Sequence, residues 1–214
     1  STSSRKISQY SWSPWIWLIG RTETPLAFMS MIRKVIPACL GPSLAVLARR
    51  WDIGLNVGAE ESERLELSLD LLEQLCFEPR LAGWNGIGFV IQAYQKRCPA
   101  VVDHLVDLAG RSGHRLMVRL VKGAYWDSEI KKAQVAGRPD YPVFTTKAAT
   151  DLSYLVCAKA LIDASPALYP QFASHNAHTL AAVRGMADGA GVMIEHQRLH
   201  GMGEALYAAA GKRY

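Results

Sequence analysis

From about residue 50 onward the chain alternates short apolar runs with helical segments, and this alternation restricts the fold more than any other feature. An apolar run at 53–57 precedes a helical segment at 60–76, whose acids crowd the first turn as a helix N-terminus prefers. Runs at 87–91, 116–121 and 169–173 are followed by helices at 98–110, 151–162 and 176–187. In the first of these helices Val101, Val102, Leu105, Val106 and Leu108 are expected to form one apolar face. A fifth pair is read at 192–194 and 204–210. Strands that alternate with helices form βαβ units and a parallel sheet.

Two parallel architectures compete. A dinucleotide-binding Rossmann domain needs a GxGxxG turn between an early strand and its helix. The glycine cluster Gly83-Trp84-Asn85-Gly86-Ile87-Gly88 has different spacing and precedes a strand, so that fold is rejected. A (β/α)8 barrel takes roughly 250 residues, or about 30 per unit. Five units between residues 53 and 210 therefore make a partial TIM-like barrel, α/β in class, expected to lack the first strand and the last strand–helix unit. Residues 1–41 break the rhythm with Trp12, Trp15 and Trp17 among serines, and read as an irregular, non-native leader ahead of a barrel segment at 42–214.

Half of the 214 residues are hydrophobic and a fifth are charged, which excludes a disordered chain and allows one domain with a sizeable core. The net charge of +5 is uneven: the first 50 residues carry seven Lys/Arg against one acid, Glu23. A nucleic-acid-binding body is therefore not indicated. Cys39, Cys76, Cys98 and Cys157 form no CxxC, so zinc ribbons and thioredoxin chemistry are set aside and a reducing compartment fits. The apolar stretch near Trp15 is too short to span a bilayer. A cytoplasmic protein is expected.

The densest polar cluster runs from Arg119 through Lys122 to Asp127. Arg119 and Val121 alternate on a strand, and Lys122 falls at its C-terminal end, where barrel active sites lie. Two cations there suit an anionic partner, a phosphate or a reduced flavin; a solvated strand end is the plainer reading. A second cluster, Ser174-His175-Asn176-Ala177-His178-Thr179, follows a strand and opens a helix whose amides could hold phosphate. His178 reads as readily as a capping or core residue as it does as part of such a site. The pairs His175/His178 and His196/His200 lack a third ligand, so no metal site is expected. Gln92 ends another strand on the same rim.

The run Arg115-Leu116-Met117-Val118-Arg119-Leu120-Val121-Lys122-Gly123-Ala124-Tyr125-Trp126-Asp127-Ser128-Glu129 closely resembles the proline dehydrogenase domain of the bifunctional proline-utilisation (PutA) family. So do Glu63–Asp70, Gly83–Phe89, Tyr169–Thr179 and Leu199–Glu204, and the resemblance covers about Gly41 to Tyr214. It implies a distorted (β/α)8 barrel that holds non-covalent FAD and oxidises L-proline to Δ1-pyrroline-5-carboxylate, on the way to glutamate. It also implies a quinone acceptor at the membrane surface, with peripheral membrane association. Carried over, Gln92 and Arg119 contact the isoalloxazine with Val121 beside it, and Lys122 faces the flavin or its phosphates. Ser174 and His175 meet the rest of the cofactor, Trp126 packs near the flavin, and Tyr125 lines the proline pocket near Leu120.

Departures from the family pattern fall on the substrate side. Where the family reads Ile-Asp-Ala-Glu-Glu, this chain has Val57-Gly58-Ala59-Glu60-Glu61, so Gly58 removes a carboxylate. The family's Ser-x-Lys-Leu-Ser strand is not found, and the helix with paired arginines would lie beyond Tyr214. The chain alone is therefore expected to be inactive with proline and prone to aggregate through open strand edges. The alternative is a degenerate barrel remnant that serves as a non-catalytic binding or interaction module.

Overall fold

The computed structural model describes residues 8–10, 16–19, 41–58 and 61–213. Short strands β1 (Ser8–Tyr10) and β2 (Ile16–Ile19) come first, then α1 (Gly41–Arg50), β3 (Gly54–Gly58) and α2 (Leu65–Cys76). The chain continues through β4 (Ile87–Gln92), α3 (Cys98–Ser112), β5 (Leu116–Val121), α4 (Trp126–Val135) and α5 (Lys147–Asp163). It closes with β6 (Leu168–Ala173), α6 (Ala177–Ala190), β7 (Glu195–Leu199) and α7 (Glu204–Arg213).

Strands β3 to β7 are parallel and lie side by side in chain order. Because each crossover places its strand next to the last, the sheet winds one way and curls into part of a barrel with helices outside. The outer face is apolar. Ile87, Phe89 and Ile91 of β4, Leu116, Val118 and Leu120 of β5, and Phe172 of β6 are buried in one core with helical residues such as Leu72, Leu105 and Leu161. The inner face carries Asn56, Gln92, Arg119, Gln171 and Gln197, all buried. A polar lining inside an apolar shell marks a cavity built for a ligand rather than a packed barrel centre.

Local signals set the element ends. Gly113 ends α3 in the left-handed conformation at φ 72°, and Thr146 and Asn176 accept backbone N–H bonds to cap α5 and α6. Tyr154 of α5 is fully buried, its hydroxyl 3.3 Å from the carbonyl oxygens of both Leu120 and Ala173, so one helix ties two strand ends together.

Several expectations need correction. The last strand is 195–199 rather than 192–194, because its inner positions are polar and the apolar run stops before it starts. The helix expected from residue 60 begins with a one-turn 3-10 segment at Ser62–Arg64. Helices α1 and α4 had no counterpart in the sequence reading; α4 buries only Glu129 and Ala133 and so shows no apolar stripe. Within the segment read as irregular, β1 pairs parallel with β7 and β2 pairs antiparallel with β3, so both edges of the five-stranded sheet are covered. The antiparallel sense of β2 means that it does not stand in for a parallel first barrel strand.

Candidate active site

The C-terminal ends of β3 to β7 open on a cleft of about 420 Å³. That volume falls within the size range of small-molecule sites. Strand alternation decides which side chains reach it. Gly58, Val90 and Arg119 occupy one register row across β3, β4 and β5, and Gln92 and Val121 form the row above. All five line the cleft, with Gln197 and Leu199 of β7 opposite.

Arg119 is 8% exposed, and a guanidinium so placed requires acceptors. Its Nε donates to Gln197 Oε1 at 2.6 Å. Lys122, at the strand end, turns to Asp151 on α5, which also receives Lys147 one turn earlier on that helix. Hydrogen bonds from Lys122 and then Lys147 hold the Asp151 carboxyl below its ordinary range. Two lysines sharing one carboxylate leave a net positive charge at this corner, and Lys122 and Lys147 both line the cleft. Gly123, at φ 133°, carries the chain across the face of the Tyr94 ring into Ala124 and Tyr125.

The opposite wall is the β6–α6 loop. Ser174 Oγ accepts from the Asn176 amide at 3.1 Å, and Asn176 Oδ1 accepts from the Thr179 amide at 2.9 Å. The start of α6 thus supplies its own cap for the Thr179 amide. His175 Nε2 accepts from the Leu199 amide at 3.0 Å, which makes that ring nitrogen a lone-pair acceptor. Burial, then the Arg198 charge, lowers the pKa of His175 in the same sense. The Tyr207 hydroxyl of α7 lies 2.8 Å from Ser174 O and 2.6 Å from Gln197 O, locking the β6 and β7 ends together. Burial pushes that phenol up to about 12.

Seven of the nine sequence-predicted site residues line this one cleft: Gln92, Arg119, Val121, Lys122, Tyr125, Ser174 and His175. Leu120 is the correction. It alternates with Arg119 and Val121, so its fully buried side chain joins the core on the outer face of β5 instead of a pocket beside Tyr125. Trp126 opens α4, is 42% exposed and donates its indole N–H to Phe144 O at 2.8 Å, outside the cleft lining. His178 is exposed on the first turn of α6, neither capping nor packed in the core. Among the described residues no group of three or more His, Cys, Asp or Glu converges as a metal site.

Sequence reasoning missed Gln197, Arg198, Lys147 and Asp151. A period-two reading of 195–199 would have placed Glu195, Gln197 and Leu199 on one face. The pairing of Lys122 with Asp151 spans the α4 segment and has no local signature.

On the outer face of β7, His196 is largely buried against Phe172, with ring centroids 6.4 Å apart, and faces Arg184 and Asp188 of α6. Burial, then the Arg184 charge, pushes it down to about 4. The unfolded imidazole protonates near pH 6.5 while the folded one stays neutral, so this contribution is complete above that pH and is lost as pH falls toward 4. The expected loss is on the order of 3 kcal/mol. Urea midpoints measured from pH 7 to pH 4 should fall steeply for the native chain and less for His196→Phe. Parallel pH profiles would count against this assignment.

Comparison with known proteins points in one direction. A proline dehydrogenase family model matches residues 28–213. The chain is 67% identical over 167 residues to the bifunctional protein PutA of Salmonella typhimurium, covering 77% of this chain and 13% of that protein. It is 60% identical over 167 residues to the Rhizobium meliloti protein, covering 77% of this chain and 14% of its relative. A solved structure of proline utilization A from Bradyrhizobium japonicum superposes with a TM-score of 0.80 at 52% identity, over 83% of this chain and 18% of that one. The Bdellovibrio bacteriovorus protein, solved after inactivation by N-propargylglycine, gives a TM-score of 0.77 at 35% identity, over 81% of this chain and 18% of its own. The chain thus spans only about an eighth of the length of the curated relatives it matches.

Proposed function

Because this chain belongs to the proline dehydrogenase family, we propose that its cleft is a flavin site and that the complete protein uses it to oxidise L-proline to Δ1-pyrroline-5-carboxylate. The observation that carries the reading is Arg119, a buried cation at the C-terminal end of the central strand with its guanidinium in the cleft. The donor set fits FAD. Val90, Val121, Ala173 and Leu199 offer apolar surface to a flat ring, while Arg119 and the Lys122–Asp151–Lys147 corner offer positive charge to its anionic parts.

A bound flavin supplies the hydride-accepting chemistry. The protein residues bind and orient. Arg119, with its fixed positive charge, and Gln92, with its amide, would be the residues that hold the flavin ring. Lys122 and Lys147 offer charge to phosphate, and Ser174 and His175 form the far rim. Tyr125, 37% exposed, walls the cleft mouth where a small amino acid would enter. Electrons would pass on to a quinone at a membrane surface from a cytoplasmic protein. No described helix is long and apolar enough to cross a bilayer.

The cleft is equipped for the cofactor more fully than for proline. Gly58 contributes no side chain to the rim, so a cationic substrate nitrogen finds no carboxylate there. This favours, as a second reading, a chain that holds flavin without turnover. The test is FAD titration of the purified chain, followed by anaerobic proline. A bound flavin spectrum that proline bleaches slowly or not at all is the expected result. Failure to bind FAD would overturn the flavin site, and rapid complete bleaching would overturn the inactivity assigned to Gly58.

A further inference from the structure

Below the cleft, the inner face of the sheet carries a line of polar side chains that ends on Arg119. Gln197 is fully buried and Gln171 is 1% exposed. Gln197 Oε1 accepts from Arg119 Nε at 2.6 Å, and its Nε2 donates to Glu195 Oε1 at 2.8 Å. The other carboxylate oxygen, Glu195 Oε2, accepts from Gln171 Nε2 at 3.3 Å. The Tyr169 hydroxyl also bonds this carboxylate, and Arg115 lies 5.1 Å over the Tyr169 ring. Register explains the convergence: Arg119, Gln171 and Glu195 are paired across β5, β6 and β7.

We propose that Glu195 is a positioning residue for Arg119, acting through the Gln197 amide; the proposal deepens the flavin-site reading and rests on it for its consequence in the cleft. A glutamine amide has one accepting end and one donating end, and a guanidinium N–H can face only the accepting end. Glu195 does not line the cleft, but as an acceptor-only carboxylate it holds the donating end of Gln197. A flipped amide would set its NH2 against Arg119 Nε–H and its oxygen against the Glu195 carboxylate, two repulsive contacts in a buried site. The same carboxylate brings a negative charge within one amide of the guanidinium and so moderates the positive field that Arg119 places in the cleft.

The experiment uses the chain labelled with 15N-arginine, its Arg119 Nε–H resonance assigned by its disappearance in Arg119→Lys. The native signal should be narrow and protected from solvent exchange. In Glu195→Leu its exchange should accelerate at least tenfold, and FAD affinity, read by flavin fluorescence quenching, should fall about tenfold. Glu195→Gln is close in shape and keeps the measurement possible if the leucine variant fails to fold. It should show an intermediate exchange rate and an upward shift in the potential of bound flavin, which loss of packing alone would not produce. An Arg119 signal unchanged in shift and exchange in Glu195→Gln, or in both variants, overturns the proposal. If the Arg119 signal responds but native chain binds no FAD, the positioning role is supported and the flavin reading is the one that fails.

Discussion

Replacing Arg119 by leucine is expected to lower the affinity of the chain for FAD by roughly a hundredfold. A charge-assisted hydrogen bond contributes about 1.5–3 kcal/mol, and the upper part of that range corresponds to about two orders of magnitude in binding. Leucine refills most of the volume, so the loss reports charge rather than a cavity. It also strands Gln197 Oε1, which now accepts from Arg119 Nε at 2.6 Å, at an expected cost of about 1–3 kcal/mol in stability. Lys122→Ala should weaken binding less, since Lys147 remains on Asp151 at the same corner. Titration by absorbance at several salt concentrations separates the two variants. Equal affinity in Arg119→Leu and native chain would remove Arg119 from the site.

Gly123→Ala is expected to destabilise the fold by about 4 kcal/mol and to distort the cleft wall that follows it. At φ 133° the backbone is in a region that L-residues rarely adopt, and an added Cβ would sit 2.4–2.6 Å from three atoms of the Tyr94 ring. Neither side can yield easily. Tyr94 is 2% exposed, and its amide donates to Lys122 O at 2.8 Å, which fixes the strand end just before the glycine. Strain of about 1–3 kcal/mol and overpacking of similar size therefore add. Urea denaturation gives the stability change directly. A shift under 1 kcal/mol would mean that the turn after β5 is free to move.

The two variants divide along the line between what was legible in the chain and what was not. The βα rhythm from residue 53, the partial barrel and the identity of one rim followed from local pattern, because period-two strands and capped amphipathic helices are written in neighbouring residues. Thr146, Gly113 and Asn176 carry their capping roles in their chemistry. Arg119, Lys122, Gln92 and Ser174 could be assigned to a common face, since parallel strands end together.

Other features depended on packing in three dimensions. Leu120 lies on the helix side because pleating, not adjacency to Arg119, decides which face a side chain takes. The sequence reading sets strand β7 three residues early, at 192–194, because its inner residues are Glu195 and Gln197, polar for the reason that they bond Gln171 and Arg119 on other strands. Helix α4 has no apolar stripe; its one buried polar anchor is Glu129, whose oxygens accept from Ser62 N at 2.7 Å and Ser62 Oγ at 2.6 Å. The sequence by itself determined the succession of βα units from residue 53 and the end of the sheet where chemistry gathers, since both follow from short-range periodicity. Only the tertiary structure decided which partners hold Arg119 and Lys122, because those bonds join residues 78 and 29 positions apart and exist only once the sheet has curled.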